Sequence, residues 1–157
     1  MSDEYEFYQG VVLRQLVVSA DLLLMIRPFE KGGRINAFVL NGKIGVFIKH
    51  STKRMSPWRF TFSIEQVSDL LDLTTAYSDS FVVFVCDDDG LVTLDASSIY
   101  EIVSFADSAS AWIRIDRPPR GQYSISGNKA ELPYKVPNGI SQVIETMRAQ
   151  ARKVRAI

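Results

Sequence analysis

The dipeptide Asn41-Gly42 is the feature that most constrains the fold of this chain, because it lies between two runs of strand-forming residues. Asn-Gly is the pair that most readily supplies the two positive φ angles of a type I′ hairpin turn. The flanking segments, RINAFVL and KIGVFIKH, are therefore predicted to be antiparallel neighbours. An antiparallel β-meander is thus the first expectation for the fold.

Four helices are predicted from capping residues and from apolar residues at helical spacing. Asp3 with Glu6, and Ser63 with Gln66, have the spacing of capping boxes, and Asp95 is a typical N-cap. The predicted helices cover approximately residues 3–19, 64–77, 96–105 and 138–155. The second of them is expected to bury Ile64, Val67, Leu70, Leu71 and Thr74.

Further strands are predicted between the helices. The run DLLLMIRPF, ended by Pro28, is typical of a buried or edge strand, and WRFTF alternates as a strand. The continuous apolar run FVVFVC indicates a central strand covered on both faces, and DDDG turns it into LVTL. WIRI and QYSIS complete the series.

The order of these elements predicts an α+β fold with a mixed sheet. An N-terminal helix comes first, then an antiparallel meander of three or four strands, then helix, hairpin, helix and strands, and finally a C-terminal helix. The chain has 157 residues, a length that favours one core, so residues 1–157 are predicted to form a single domain.

Charge is unevenly distributed along a chain whose net charge is zero. Residues 31–59 contain seven Lys and Arg and no acidic residue, 60–110 contain ten Asp and Glu and no basic residue, and 111–157 contain nine basic and three acidic residues. Two interpretations remain open: a bipolar molecule with one basic face, or blocks that interleave and pair in three dimensions. Zero net charge by itself argues against a general nucleic-acid binder.

Cysteine content and the N-terminal segment bear on localisation. The single Cys86 excludes an internal disulfide and a cysteine-rich zinc site, and it suits a reducing compartment. The segment MSDEYEFYQG is acidic where a signal peptide is basic, and no apolar run approaches the roughly 20 residues that span a bilayer. The chain is therefore expected to be cytoplasmic, with no membrane contact and no cofactor.

The segment IKHSTKRMSPWRFTF concentrates basic residues and the only histidine of the chain. Its cationic and hydroxyl side chains suit phosphate oxygens, and Trp58 suits either stacking on a base or packing on the core at a strand entrance. The loop RPPRG extends this surface if both loops lie at one end of the sheet. The residues of this polyanion-binding hypothesis are Lys49, His50, Lys53, Arg54, Arg59, Arg117 and Arg120.

Three other groups have both a chemical and a structural interpretation. His50 beside Ser51 is more typical of a loop-edge histidine than of a base and its nucleophile, because adjacent strand residues point to opposite faces. The three aspartates before Gly90 suit a tight hairpin turn better than a cation site. Cys86 is expected to be a buried small apolar residue. No catalytic or metal-ligating residue is predicted.

Several segments that together span nearly all of the chain resemble a family of small uncharacterised bacterial proteins. They are IGVFIKHSTKRMSPWRFTF, SIEQVSDLLDL, FVVFVCDDDGLVTL and AWIRIDRPPRGQYSISG. This resemblance implies that the segments belong together, and it implies no activity. More distantly, a helix, a three-stranded meander, a helix and a strand in this order are similar to the core of the PD-(D/E)XK nucleases, the restriction-endonuclease-like fold.

The nuclease resemblance implies an Asp near a hairpin and a Glu-x-Lys on the next strand, which hold a divalent cation that activates water. Here the tripeptide is Phe47-Ile48-Lys49, and Asn36 or Asn41 stands where the Asp is wanted. A phenyl ring and an amide do not replace the carboxylates that Mg²⁺ prefers. The resemblance therefore implies a nuclease-like fold with a degenerate active site, unless Glu4 or Glu6 of the first helix supplies a carboxylate.

Two functions of different kinds remain open. The first is a non-enzymatic interaction or self-assembling domain, a homo-oligomer for which the C-terminal helix and an exposed strand edge are the expected contact surfaces. The second is a nucleic-acid or polyanion-binding module that uses the basic loop 49–59. Salt distinguishes them, because phosphate contacts weaken steeply as the salt concentration rises.

Overall fold

The computed structural model describes residues 2–106 and 111–155, with side chains for 4–106 and 111–153. Its helices are α1 (Ser2–Ser19), α2 (Ile64–Ala76), α3 (Ala96–Ile102) and α4 (Ser141–Arg155). Its strands are β1 (Ile26–Lys31), β2 (Arg34–Leu40), β3 (Ile44–Ser51), β4 (Trp58–Thr61), β5 (Asp79–Cys86), β6 (Gly90–Asp95), β7 (Trp112–Asp116) and β8 (Ser124–Gly127). The described part of the chain is therefore an α+β structure, as predicted.

The larger of two sheets contains five strands in the order β1-β2-β3-β5-β6. β1, β2 and β3 form the predicted antiparallel meander, and the connection between β2 and β3 has positive φ angles at Asn41 (53°) and Gly42 (68°). β5 lies parallel to β3, and β6 returns antiparallel to β5 after the turn of three aspartates. The run FVVFVC is thus an inner strand that is buried on both faces.

β4 leaves the meander. It pairs with β7 instead of β3, in a smaller antiparallel sheet of order β4-β7-β8. The meander therefore has three strands, the smaller of the two numbers that the sequence allows. Alternation of apolar and polar residues identifies a strand, but its partner is set by contacts between segments that are distant in sequence.

The larger sheet is covered on both faces by two hydrophobic layers. One face packs on α1 and α4, and the other packs on α2, α3 and the inner face of the smaller sheet. Successive residues of β3 therefore enter different layers. Lys49 lies on the side of α2 and the smaller sheet, whereas His50 lies against α1.

α2 buries a different stripe from the one predicted. Leu70 and Leu73 are fully buried, whereas Ile64 and Leu71 are exposed. Gly45 explains why Leu73 is buried, because a Cβ at position 45 would lie 2.7 Å from Leu73 Cγ and the glycine leaves this space free. The helix therefore approaches β3 at the glycine and turns Leu73, not Leu71, toward the sheet.

The predicted caps form at two helices. Ser63 and Gln66 make the reciprocal capping box of α2, and the Asp95 carboxylate accepts a backbone N–H in the first turn of α3. At α1 the helix already begins one residue before Asp3, whose side chain lies outside the described ones.

Three element boundaries differ from the prediction. β1 begins only at Ile26 and continues through Pro28, which an edge strand tolerates because one of its sides has no ladder partner. α3 ends at Ile102, so Phe105 packs from the following segment, and α4 begins at Ser141. Within the described ranges, none of the helices has the length and apolar content that crossing a membrane requires.

Candidate functional site

Two basic loops meet at one end of the smaller sheet. Residues 52–57 lead into β4, and residues 117–123 follow β7. Because β4 and β7 are antiparallel, with Trp58 opposite Ile115, the entrance to one strand lies beside the exit from the other. The loops that the sequence analysis combines into one hypothetical surface are therefore neighbours.

Ser56 joins the two loops. Its hydroxyl donates a hydrogen bond to Asp116 Oδ1 (3.2 Å) and accepts one from the backbone N–H of Arg117 (2.9 Å). Between the loops lies an open groove of about 610 Å³, called the basic groove from here on. Among the residues that line it are Arg54, Ser56, Asp89, Arg117, Pro119 and Arg120.

A polar network forms the floor of the basic groove. Arg117 Nη1 donates to Asp89 Oδ2 (3.1 Å), its Nε donates to the carbonyl of Gly121 (2.9 Å), and its guanidinium lies over the ring of Tyr123. The Tyr123 hydroxyl donates to the same carboxylate, and burial together with this bond raises the pKa of Tyr123. Asp89 thus balances the charge of Arg117, which holds the groove in shape and is not a free cation.

Lys53, Arg54 and Arg120 are exposed at the basic groove or beside it. No ion pair to any of the three occurs among the described side chains. Arg120 has a φ of 62°, in a turn that the Gly121 N–H closes by donating to the Pro118 carbonyl. This is the turn position that favours glycine, and an arginine there costs about 1 kcal/mol. The chain thus has an arginine at a position where a glycine would avoid the backbone strain.

Trp58 does not present a ring for stacking. Only 1% of the residue is exposed, and its Nε1–H donates to the carbonyl of Lys53 (2.7 Å). Trp58 therefore packs on the core at a strand entrance, one of its two alternatives, and this placement does not support the base stacking predicted for it. The tryptophan anchors the loop 52–57 from below.

Lys49 lies outside the basic groove. Its Nζ donates to the Thr61 carbonyl (2.6 Å) and to Gln66 Oε1 (2.9 Å), and it lies 5.0 Å from the centroid of the Phe62 ring. Burial lowers the pKa of Lys49 to about 8. Phe47, two residues earlier, is fully buried. Lys49 therefore connects β3 to the start of α2, and its placement does not support the phosphate-binding role predicted for it.

His50 also points away from the basic groove. Its ring stacks on Tyr8 at 4.5 Å between centroids, and its Nε2 lies 2.8 Å from Glu4 Oε1. The Tyr8 hydroxyl in turn donates to Asp87 Oδ1 (2.6 Å), and this bond raises the pKa of Tyr8 to about 12. The result is a polar contact between α1 and the ends of β3 and β5, which removes His50 from the predicted polyanion surface.

The outer face of the smaller sheet continues the basic surface. Arg59 of β4 and Arg114 of β7 are exposed and stand opposite each other in the register. The Arg59 guanidinium lies 4.5 Å from the centroid of the Trp112 ring, and Arg114 Nε lies 2.9 Å from Asp116 Oδ2. Trp112 and Arg114 are not among the site residues predicted from the sequence. The alternation in WIRID nevertheless indicates that both lie on the face of the strand away from the buried isoleucines.

The three consecutive aspartates do form a hairpin turn between β5 and β6. Asp87 adopts a positive φ of 48°. The carboxylate of Asp87 accepts a hydrogen bond from Tyr8, and that of Asp89 accepts one from Arg117. Among the side chains that the structure describes, no group of three or more His, Cys, Asp or Glu is arranged to hold a metal ion.

The charge blocks pair in part. Lys31 with Asp72, Arg34 with Asp69, and Arg117 with Asp89 join the acidic middle of the sequence to its basic flanks. The strongest of these is the bidentate bond from Arg34 to the buried Asp69, which lowers the pKa of that carboxyl. The interleaving interpretation thus applies to these residues, while the cations at the basic groove are left to form one basic face.

Comparison of the chain with protein-family models, with curated proteins and with solved structures finds no match. The element order α1, three-stranded meander, α2 and β5 is the one on which the nuclease resemblance rests. That resemblance and the bacterial family therefore stay predictions, and function has to be argued from the geometry of the site itself.

Proposed function

We propose that this chain binds single-stranded nucleic acid through the phosphodiester backbone, at the basic groove and the adjoining outer face of the smaller sheet. The observation that carries the proposal is the convergence of two basic loops, joined by a hydrogen bond across 60 residues of sequence, on one open groove. A solvated connection between strands does not require such a bond.

The available cations suit phosphate. Lys53, Arg54, Arg59 and Arg120 are exposed, and no described carboxylate forms an ion pair with any of them. Arginine offers a planar fork of donors that matches phosphate oxygens, and contacts to phosphate hold a nucleic acid without reading its sequence. Hence we expect affinity with little sequence preference.

The sheet face favours a single strand over a duplex. An exposed β-sheet face that combines arginines with an aromatic ring is the kind of platform on which unpaired bases stack. Here Arg59 and Trp112 stack on each other, and the hydroxyls of Thr61, Ser124 and Ser126 lie on the same face. A duplex hides its bases and offers only its backbone to such a surface.

Fluorescence anisotropy with labelled single-stranded DNA, single-stranded RNA and duplex DNA tests the proposal. We expect binding to single strands at low salt, with a log-log salt slope of about −3 if four cations contact phosphates. The double variant Arg54→Ala/Arg120→Ala should lose about 10-fold or more in affinity, and its salt slope should become shallower by about 1.4.

The matched control is Arg27→Ala/Lys43→Ala, which removes two exposed cations from β1 and from the hairpin turn, both in the larger sheet. It leaves the net charge equal to that of the test variant, so a nonspecific effect of charge would weaken both variants alike. Absence of binding to all three nucleic acids at low salt, or equal losses in the two variants, would contradict the proposal.

A further inference from the structure

α1 exposes apolar side chains on the face that points away from the sheet. Its inner face is buried through Tyr8, Val12 and Leu16. On the opposite face, Phe7 and Val17 are 64% and 61% exposed. A surface helix whose outer face carries large apolar residues is typical of a contact surface.

Gly10 lies at the middle of this outer face. Glycine in a helix interior costs roughly 0.5–1 kcal/mol relative to alanine, so its presence calls for a structural reason. A Cβ at Gly10 would meet no atom within 4 Å, so the fold of the single chain gives no such reason. A missing side chain on an outward face lets another helix approach closely at that point.

Glu6 and Arg14 lie one helical turn on either side of Gly10. Spacings of four residues place all three along one ridge of the helix, with Glu6 and Arg14 each turned by about 40° from Gly10, in opposite senses around the axis. Both charged side chains are exposed, and among the described residues neither forms an ion pair. From its N-terminal to its C-terminal end, the ridge therefore carries an acidic residue, a glycine and a basic residue.

We propose that two copies of this chain associate through α1, in a twofold-symmetric contact centred on Gly10. Two such ridges pack along each other at the roughly 50° crossing angle of helices that interdigitate through rows of this spacing. In this contact the twofold axis is perpendicular to the ridges, so the two ridges run in opposite directions. Glu6 of each copy then lies beside Arg14 of the other, so that the ion pair occurs twice. Phe7 and Val17, on the rows beside the ridge, are covered by the second copy.

The charge pattern selects a second copy over a partner of another kind. The charges of Glu6 and Arg14 cancel on the outer face. In a second copy that runs in the opposite direction, the acidic residue stands at the position of the basic one and the basic residue at that of the acidic one. An isologous contact needs this property, because the same patch must complement itself. The contact surfaces expected from the sequence were instead an exposed strand edge and the C-terminal helix, whose apolar residues Val143, Ile144 and Met147 are buried on the larger sheet.

Sedimentation velocity over about 10 to 200 µM, a range suited to a weak dimer, tests the proposal. We expect the mass to rise with concentration from 17.7 kDa, the mass of one chain, toward twice that value. Glu6→Arg and Arg14→Glu should each raise the dissociation constant by at least about 10-fold, because each places like charges together at two points of the contact.

A mixture of the two single variants gives the sharpest result. In a heterodimer of Glu6→Arg with Arg14→Glu, both pairs again join opposite charges, so the mixture should dimerise although neither variant does so alone. The double variant Glu6→Arg/Arg14→Glu should dimerise by itself. A wild-type mass of one chain throughout the range, a dimer insensitive to either single variant, or a mixture that stays monomeric would each overturn the proposal. Nucleic-acid binding involves neither residue and is tested separately.

Discussion

Ser56 and Asp116 are joined by a side-chain hydrogen bond of 3.2 Å, although they are 60 residues apart in the chain. The same Ser56 hydroxyl accepts the backbone N–H of Arg117, so one small side chain fastens the loop before β4 to the loop after β7. The relative position of Arg54 and Arg120 on the two walls of the basic groove depends on this connection.

Ser56→Ala is expected to loosen the basic groove. The backbone N–H of Arg117 and the Asp116 carboxylate lose a partner in a half-buried place, so the free energy of unfolding should fall by about 1 kcal/mol. Affinity for single-stranded nucleic acid should fall by about 3- to 10-fold, because the two walls must be ordered when the ligand binds. Urea unfolding and anisotropy measure the two effects.

Ser68→Ala is a suitable control for this variant, because Ser68 lies exposed on α2, away from the two basic loops. It should leave affinity unchanged. Wild-type stability and affinity in Ser56→Ala would show that the loops keep their arrangement without the hydroxyl.

Arg120→Gly is expected to act on stability and on binding in opposite directions. Glycine removes the strain at a φ of 62°, which should raise the free energy of unfolding by about 0.5 to 1 kcal/mol. The loss of a phosphate-binding cation should lower affinity and make the salt dependence shallower. Arg120→Ala keeps the strained backbone while losing the charge, so it should weaken binding without the gain in stability. Equal stabilities of the two variants would argue against strain at this position.

The elements that were predicted correctly depend on residues close together in sequence. The Asn41-Gly42 turn needs two positive φ angles, and the capping box of α2 needs Ser63 and Gln66 three residues apart. Such features are stabilised within a few residues, so the sequence pattern suffices to identify them.

The features that were predicted wrongly or left open depend on contacts between distant segments. Whether α2 turns Leu71 or Leu73 inward is decided by the room that Gly45 leaves on β3. Likewise, β4 pairs with β7 because its apolar face completes the layer below the larger sheet, and alternation alone does not identify that partner.

The candidate site was predicted in outline only. Proximity of the two basic loops was stated as a condition, and the structure meets it. The roles of single residues were less predictable, because the charge of a side chain does not determine the face of the sheet on which it lies. Lys49 and His50 are adjacent basic residues of β3, and they enter opposite layers of the fold. Their removal from the surface follows from the alternation of β3 between two covered faces.

Lys49 should make the stability of this protein depend on pH in the alkaline range. Burial lowers the pKa of Lys49 to about 8, whereas a lysine in the unfolded chain titrates near about 10.4. Between these values the unfolded chain binds more protons at this side chain than the folded chain does, so its contribution to the free energy of unfolding rises with pH. Lys49→Met removes the titration. From about pH 7.5 to 9.5 the wild type should therefore gain about 1 to 2 kcal/mol relative to Lys49→Met, measured by urea unfolding. Lys43→Met, at an exposed position, should follow the wild-type curve. A constant difference between wild type and Lys49→Met across this range would mean that the Lys49 amine remains as well solvated as a surface lysine.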